Sequence, residues 1–280
     1  MSRPIAHSIP RALTIAGSDS GGGAGIQADL KTFQELDVFG MSAITAITAQ
    51  NTLGVHGVYP IPVEGIIQQI EAVGSDIGVD ALKTGMLFSA DIIKAVAAKI
   101  TDFGWHRVVV DPVMVAKGGA KLLQNEAIEA LTNYLLPLAL VVTPNIPEAE
   151  VLTGIEIRTM EDRREAAKRL RNFGSKIVLI KGGHDQSAEV IDLLYDGDQF
   201  IEFANQRIDT VHTHGTGCTF SAAITAGLAQ GLSLKASIIT ARTYIQYAIE
   251  DTLGIGGGHG PTNHWAYQRR IAAEQSGVVR

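Results

Sequence analysis

The regular alternation of short β-branched runs with helical stretches most constrains what this 280-residue chain can fold into. Runs rich in Val, Ile and Leu at residues 13–16, 107–110 and 177–180 are each short enough for a buried strand, and no low-complexity linker or repeat separates them. Strands that alternate with helices are typical of β-α-β units, which build parallel sheets. We therefore predict a parallel α/β sandwich.

Four further segments complete this outline. We predict one strand at residues 41–49 and a helix at residues 234–250. Residues 190–194 and 200–203 flank a turn around Asp196-Gly197-Asp198, which predicts an antiparallel hairpin at the edge of the sheet.

Charge and cysteine content exclude several classes of protein. The chain has 23 basic and 29 acidic residues and a net charge of −6, so no nucleic-acid or anionic-membrane partner is expected. Cys218 is its one cysteine, which excludes an intrachain disulfide and favours a reducing cytoplasm. Residues 38–63 lack charged side chains, but polar residues and prolines interrupt them, so a buried strand and loop are expected rather than a membrane span.

The strongest candidate for a catalytic segment is residues 212–219, HTHGTGCT, which run directly into an uncharged helical stretch. Gly215 and Gly217 let backbone N–H groups converge, and a helix N-terminus adds unpaired donors and partial positive charge. An anion is expected there, and the same field favours the thiolate of Cys218 as base or nucleophile. The alternative is a glycine-punctuated loop with a buried thiol.

A second glycine-rich loop spans residues 17–25 and leads into a helix that contains Asp29. Gly23, Gly25 and Ala28 fit the dinucleotide fingerprint only loosely, because six residues separate Gly23 from the preceding strand. The loop also lacks the GK[ST] ending of a Walker A motif. Asp29 is therefore either a ligand-binding carboxylate or a solvated residue of the first helical turn.

Polar residues follow several predicted strands, where open α/β sheets place ligands. Gln50 carries a donor and an acceptor on one amide, which suits an aminopyrimidine-like heterocycle, although a plain turn residue is the alternative. Met86 and Met114 either pack against a flat ring or fill the core. Lys181 places a cation beside two glycines.

Asn145 and Glu148 share one face of a predicted helix start and offer the oxygen ligands that Mg²⁺ takes, often through water. The alternative is an ordinary helix start in which Glu148 complements the dipole. His212, His214, His259 and His264 lack the i, i+4 spacing or thiolate cluster of a zinc site, so zinc is not expected.

Taken together, these motifs resemble the hydroxymethylpyrimidine and phosphomethylpyrimidine kinases of thiamine biosynthesis, in the ribokinase-like superfamily. The resemblance runs in order from Arg11 to Pro261. It is carried by residues 12–19 (ALTIAGSD), 22–32 (GGAGIQADLKT), 143–148 (TPNIPE), 181–184 (KGGH) and 214–219 (HGTGCT).

The resemblance implies a three-layer α/β/α sandwich, ATP as phosphoryl donor and Mg²⁺ as metal. It implies two successive phosphorylations, first of the pyrimidine's hydroxymethyl group and then of the monophosphate. It assigns the pyrimidine pocket to Gln50, Asp29, Gly17, Thr48 and Met86. It also assigns the anion hole to Gly215, Thr216 and Gly217, the phosphates to Lys181, the metal to Asn145 and Glu148, and a place near the metal to Asp111.

Cys218 occupies the position of the general base, which is Asp in related sugar kinases. A thiol with an ordinary pKa of about 8.5 is mainly protonated near neutrality unless the helix N-terminus lowers that pKa. The alternatives are a pyridoxal kinase, an enzyme of dual specificity, a cysteine hydrolase and a non-catalytic pyrimidine-binding module.

We expect one kinase domain at residues 11–265, an N-terminal extension at 1–10 and a C-terminal tail at 266–280. The expected partner is a small molecule. The sequence leaves open whether the protein is a monomer or a homodimer.

Overall fold

The computed structural model describes residues 9–114, 125–184 and 187–276. Its strands, in chain order, are β1 (Arg11–Ala16), β2 (Phe39–Ile44), β3 (Ala46–Asn51), β4 (Gly54–Pro60), β5 (Ala81–Thr84), β6 (Val108–Val110), β7 (Val141–Val142), β8 (Ile177–Ile180), β9 (Glu189–Tyr195) and β10 (Phe200–Gln206).

The helices are α1 (Gly25–Glu35), α2 (Val63–Asp76), α3 (Ala90–Asp102), α4 (Asn125–Ala130), α5 (Ile146–Thr153), α6 (Met160–Asn172), α7 (Thr216–Ala229), α8 (Leu234–Glu250) and α9 (Ala266–Gln275). Helix α4 continues through a π-helical turn, Leu131–Leu135, and a 3₁₀ turn, Leu136–Leu138.

Eight strands form the central sheet in the order β10-β9-β8-β7-β6-β5-β1-β2. Within this sheet the neighbouring strands β8, β7, β6, β5, β1 and β2 pair in parallel. Strand β9 pairs antiparallel with both β8 and β10, and β10 lies at the edge. The predicted mostly parallel sheet and edge hairpin are therefore confirmed, as is the helix at residues 234–250.

Helices cover both faces of this sheet because its strands are apolar on both sides. In β6, Val108 and Val110 enter one buried cluster and Val109 enters the other, as the two-residue period of a strand requires. Helices α2, α3 and α6 pack on the first cluster, and helices α1, α7 and α8 pack on the second. The three-layer α/β/α architecture is confirmed.

The single strand expected at residues 41–49 is wrong, because the chain bends at Thr45. The Thr45 N–H donates to the Ala16 carbonyl at 3.0 Å, and its hydroxyl donates to the Met86 carbonyl at 2.7 Å. These bonds end β2 at Ile44, and β3 instead pairs with β4 in a separate antiparallel hairpin. Gln50 therefore lies on this β3–β4 hairpin rather than at the end of a sheet strand.

Part of the expected C-terminal tail forms α9, which packs against α8 through stacked Tyr244 and Tyr267 rings at 5.2 Å. Residues 1–8 and 277–280 of the predicted extension and tail lie outside the described residues, and the domain division stays a prediction. Within the described ranges, none of the helices has the length and apolar character needed to cross a membrane.

Candidate active site

A cavity of about 770 Å³ lies at the carboxyl ends of the parallel strands. Loops that follow β1, β5, β6 and β8 meet there with the N-terminus of α7 and the β3–β4 hairpin. All the site residues predicted from the sequence line it, namely Gly17, Asp29, Thr48, Gln50, Met86, Asp111, Asn145, Glu148, Lys181, Gly215, Thr216, Gly217 and Cys218. Their individual roles stay predictions.

The N-terminus of α7 forms one wall of this cavity. Its N-cap, Gly215, has a φ of 81°, and a Cβ there would stand 1.7 Å from the Gly23 carbonyl oxygen. Only glycine permits this contact between the two glycine-rich loops. A Cβ on Gly217 would stand 3.4 Å from Lys181 Nζ, so the helix N-terminus and this cation face the same space.

Cys218 lies in the first turn of α7 and is partly accessible. Burial raises the pKa of its thiol to about 11; the Lys83 cation opposes this rise, and the Asp29 and Asp111 carboxylates add to it. The expectation that the helix N-terminus favours the thiolate is therefore wrong. Removal from water and two nearby negative charges outweigh the helix field.

Asp29 forms an ion pair with Lys83 at the bottom of the cavity. Lys83 Nζ lies 2.8 Å from Asp29 Oδ1, the Thr14 hydroxyl donates to Oδ2 at 2.6 Å, and both charged side chains are 0% exposed. Asp29 is thus not the solvated first-turn residue of the alternative interpretation. Burial raises its pKa, whereas for Lys83 the neighbouring carboxylates outweigh burial and raise the pKa.

Lys83 was missed by sequence reasoning. Its signal is a lysine placed in the apolar run of β5, directly before Thr84-Gly85-Met86. Because an apolar strand of a parallel sheet is buried on both faces, a lysine at its end needs a buried carboxylate partner.

A second ion pair joins Lys181 and Asp111, and the Asp111 charge also raises the pKa of the Cys218 thiol. Lys181 Nζ lies 2.8 Å from Asp111 Oδ1, and 14% of the Lys181 side chain is exposed. Burial acts to raise the pKa of Asp111, but the positive charges of Lys181 and Lys83 outweigh it and hold that pKa below its ordinary value.

Asn145 and Glu148 start α5 with a reciprocal capping box. The Glu148 N–H donates to Asn145 Oδ1 at 2.9 Å, and the Asn145 N–H donates to Glu148 Oε2 at 2.8 Å. The helix-start interpretation is therefore correct, and it leaves Glu148 facing the cavity. Burial raises the pKa of Glu148 to about 7; Lys181 opposes that rise, and the Asp111 charge adds to it.

Asp19 organises the first glycine-rich loop and was also missed by sequence reasoning. Its carboxylate accepts backbone N–H bonds from Gly21 at 2.8 Å, Gly23 at 3.1 Å and Ala24 at 2.8 Å. His214 Nε2 lies 2.8 Å from Asp19 Oδ2. The signal is an Asp two residues before a glycine run, a pattern typical of a side chain that caps its own turn.

The remaining pocket residues surround the β3–β4 hairpin. A Cβ on Gly17 would stand 2.3 Å from Met86 Cε, so glycine is what lets this methionine approach the first loop. The Thr48 hydroxyl donates to the Ser18 carbonyl at 2.8 Å. The Gln50 side chain reaches His214, with the two Nε2 atoms 3.4 Å apart.

The described residues contain no group of three or more His, Cys, Asp or Glu side chains placed to hold a metal ion directly. Among the histidines, His264 bonds Thr219 at 3.0 Å, and burial lowers its pKa to about 4.

Comparison with known proteins gives consistent results. The phosphomethylpyrimidine kinase family model matches residues 19–263. The hydroxymethylpyrimidine/phosphomethylpyrimidine kinase of Bacillus subtilis is 58% identical over 263 residues, which cover 94% of this chain and 97% of that protein.

Two relatives carry a different name. The pyridoxine kinase of Bacillus subtilis is 48% identical over 263 residues, with 92% of this chain and 97% of that protein covered. The structure of the Staphylococcus aureus pyridoxal kinase in complex with AMP-PCP and pyridoxal is similar to this chain with a TM-score of 0.85 and 42% identity, over 94% of this chain and 96% of the other.

Proposed function

The chain belongs to the phosphomethylpyrimidine kinase family and is a phosphotransferase, and we propose that it phosphorylates hydroxymethylpyrimidine and then its monophosphate with ATP, in thiamine diphosphate biosynthesis. One observation carries the proposal. A single cavity is lined by Gln50 and Asp29, by Lys181 and the α7 N-terminus, and by Cys218.

At the proposed pyrimidine end of this cavity, the protein binds and orients the pyrimidine. Gln50 contributes an amide and Met86 an apolar wall held against Gly17, whereas Asp29 lies enclosed with Lys83 and Thr14 at the bottom of this end. Thr48 fixes the hairpin to the first loop through its bond to Ser18.

At the proposed phosphoryl end, the protein receives the phosphoryl group. The start of α7, at Gly215, Thr216 and Gly217, would bind this group together with the Lys181 ammonium, which faces the same space. Phosphoryl transfer passes through a loose transition state, so fixed donors and cations that match its charge contribute most of the acceleration.

The donor set fits Mg²⁺. Asp111 and Glu148 place carboxylates within each other's electrostatic reach, and the resulting repulsion is part of what raises the pKa of Glu148. Hard oxygen ligands of this kind bind Mg²⁺, often through water. We propose that Glu148 and Asn145 would hold Mg²⁺, with Asp111 close by, and that the ion would supply positive charge to neutralise the phosphates.

Cys218 is the proposed proton acceptor. Its raised pKa means that the thiolate is the minor form near neutrality. As the substrate hydroxyl oxygen bonds to phosphorus, its proton passes to the Cys218 sulfur, and only the thiolate accepts it. A cysteine hydrolase also needs the thiolate, so the raised pKa does not separate these two roles of Cys218.

The test is ATP-dependent phosphorylation of hydroxymethylpyrimidine by purified protein with Mg²⁺. We expect the rate to rise with pH across neutrality because the thiolate fraction rises, whereas Cys218→Asp removes this rise above the pKa of the new carboxyl group. Cys218→Ala is expected to keep ligand binding and to lose about 10²–10⁴-fold in turnover. A lack of phosphorylated product contradicts the proposed substrate, and a Cys218→Ala variant with full turnover contradicts the role of Cys218.

A second candidate function is pyridoxal kinase activity, alone or beside the first. The similarity to the pyridoxine and pyridoxal kinases favours it. Measuring kcat/KM on pyridoxal and on hydroxymethylpyrimidine separates the two, and a large preference for pyridoxal overturns the main proposal.

We further propose a cytoplasmic location, which the lone Cys218 supports. A homodimer is proposed as the assembly, and sedimentation of the purified protein at several concentrations tests it.

A further inference from the structure

His214 joins three parts of the active site. It precedes the N-cap Gly215, its Nε2 lies 2.8 Å from Asp19 in the first glycine-rich loop, and the same atom lies 3.4 Å from Gln50 Nε2 on the β3–β4 hairpin. The proton on this one nitrogen therefore influences groups from separate elements.

The hydrogen bonds of Asp19 determine whether His214 Nε2 carries that proton. Its two carboxylate oxygens accept N–H bonds from Gly21, Gly23 and Ala24, and the Asp19 side chain is only 2% exposed. A carboxylate so surrounded by donors stays ionised and can only accept. A bare imidazole nitrogen 2.8 Å from it would place two lone pairs against each other, so Nε2 of His214 carries a proton and donates it to Asp19.

The amide of Gln50 then has one favourable orientation. Its N–H groups cannot donate to a His214 nitrogen that is itself protonated, whereas its carbonyl oxygen is attracted to the positive end of the N–H bond that His214 donates to Asp19. The two ends of a glutamine amide have nearly the same shape, and their assignment follows from the surrounding hydrogen-bond network. The network here turns the Gln50 oxygen towards His214 and leaves the amide N–H₂ for the cavity that Gln50 lines.

We propose that His214 is a positioning residue, which with Asp19 fixes Gln50 as a hydrogen-bond donor and so selects a heterocycle with a ring-nitrogen acceptor at that edge. The selection of the heterocycle rests on the proposed function, because it requires that the ligand is an aminopyrimidine. The protonation of His214 and the orientation of Gln50 do not depend on it.

The first test uses the protein without substrate. Long-range ¹H–¹⁵N spectra of uniformly labelled protein distinguish the two imidazole tautomers, and the spectrum of the His214→Gln variant assigns the His214 signals. We expect a proton on Nε2 near neutral pH. A neutral imidazole protonated on Nδ1 alone overturns the proposal, whatever the substrate.

The second test compares two substitutions of Gln50 during turnover of hydroxymethylpyrimidine. Gln50→Glu places an acceptor where the proposal requires a donor, so KM is expected to rise by at least about tenfold, the size of one lost hydrogen bond, and more than in Gln50→Met. If instead the wild-type carbonyl faces the substrate's amino group, Gln50→Glu keeps a wild-type KM, and the proposal fails.

The third test separates positioning from folding. His214→Phe removes the donor, whereas His214→Gln retains an N–H that can reach Asp19. We expect His214→Phe to raise KM for the pyrimidine about tenfold with a smaller change in kcat and in KM for ATP, and His214→Gln to restore most of the loss. Equal losses in both variants, or a loss confined to kcat, overturn the proposal. If wild-type protein does not phosphorylate hydroxymethylpyrimidine, the proposed function fails while the tautomer result stands.

Discussion

Two lysine–aspartate pairs lie near Cys218, and both have a nitrogen–oxygen distance of 2.8 Å. The Lys83–Asp29 pair is wholly enclosed, and Thr14 occupies the second carboxylate oxygen. The Lys181–Asp111 pair borders the cavity, and part of the Lys181 side chain is exposed. The same contact is therefore closed at the proposed pyrimidine end and open at the proposed phosphoryl end.

Access to the cavity, rather than the nitrogen–oxygen distance, separates the roles of the two lysines. An ammonium has three donors, so a lysine that reaches the cavity can hold its aspartate and still bind an anion. An enclosed pair cannot bind an anion from the cavity in this way, and its role is to neutralise two buried charges. We therefore assign Lys83 to the framework of the site and Lys181 to binding.

The largest expected effect tests the closed pair. Lys83→Met leaves Asp29 charged and enclosed, so we expect the free energy of unfolding to fall by about 3–5 kcal/mol. Urea denaturation followed by circular dichroism measures the loss. The loss should shrink in acid, where Asp29 gains a proton.

The matched control for this variant is Lys83→Met combined with Asp29→Asn, which removes both charges. It should recover much of the stability that the single variant loses. If Lys83→Met alone is as stable as wild type, the Lys83 ammonium is not needed to compensate the buried charge of Asp29.

The next effect tests the open pair. Lys181→Met removes a cation that faces the phosphoryl group, so we expect kcat to fall by about 10²–10³-fold, as for other lost electrostatic donors. Stability should fall less than in Lys83→Met, since the site of Lys181 remains partly open to water. Steady-state kinetics with ATP, with Lys181→Arg as the charge-retaining control, measures the effect. If Lys83→Met and Lys181→Met lower the free energy of unfolding and kcat in the same proportion, access to the cavity does not separate the roles of the two lysines.

A smaller effect concerns the titration of Glu148, which the open pair influences through Lys181 and Asp111. Burial raises the Glu148 pKa from an ordinary 4.5 to about 7, so the folded protein binds more protons than the unfolded chain between these values. The stability linked to this proton is complete below about pH 4.5 and is lost as pH rises through about 7. Glu148→Gln should remove this loss. Urea midpoints measured across that pH window check it, and parallel profiles of the two proteins would contradict it.

The sequence predicted the features that depend on local pattern. The alternation of apolar runs predicted the parallel sheet, and the spacing of Asn145 and Glu148 predicted a helix start that became a capping box. The sequence could not predict pairs between distant positions. Lys83 and Asp29 are 54 residues apart, and His214 and Asp19 are 195 apart.

The thiol pKa of Cys218 shows the same limit. The helix N-terminus was visible in the sequence, but burial and the two nearby carboxylates, which outweigh it, exist only after folding. The bend at Thr45 likewise depends on carbonyls of Ala16 and Met86 from other elements. Motif residues are thus predictable as members of the site, whereas their charge states are not.

The smallest expected effect comes from a third lysine pair at the surface. Lys99 Nζ also lies 2.8 Å from a carboxylate, that of Glu71, and 3.0 Å from Asp102. Water already solvates these charges, so Lys99→Met should leave the urea midpoint and the kinetic constants unchanged. Lys99→Met measured beside Lys83→Met holds both the substitution and the original contact distance constant, so that enclosure is the main difference. If both variants lost the same stability, enclosure would not explain the difference between the two pairs of the active site.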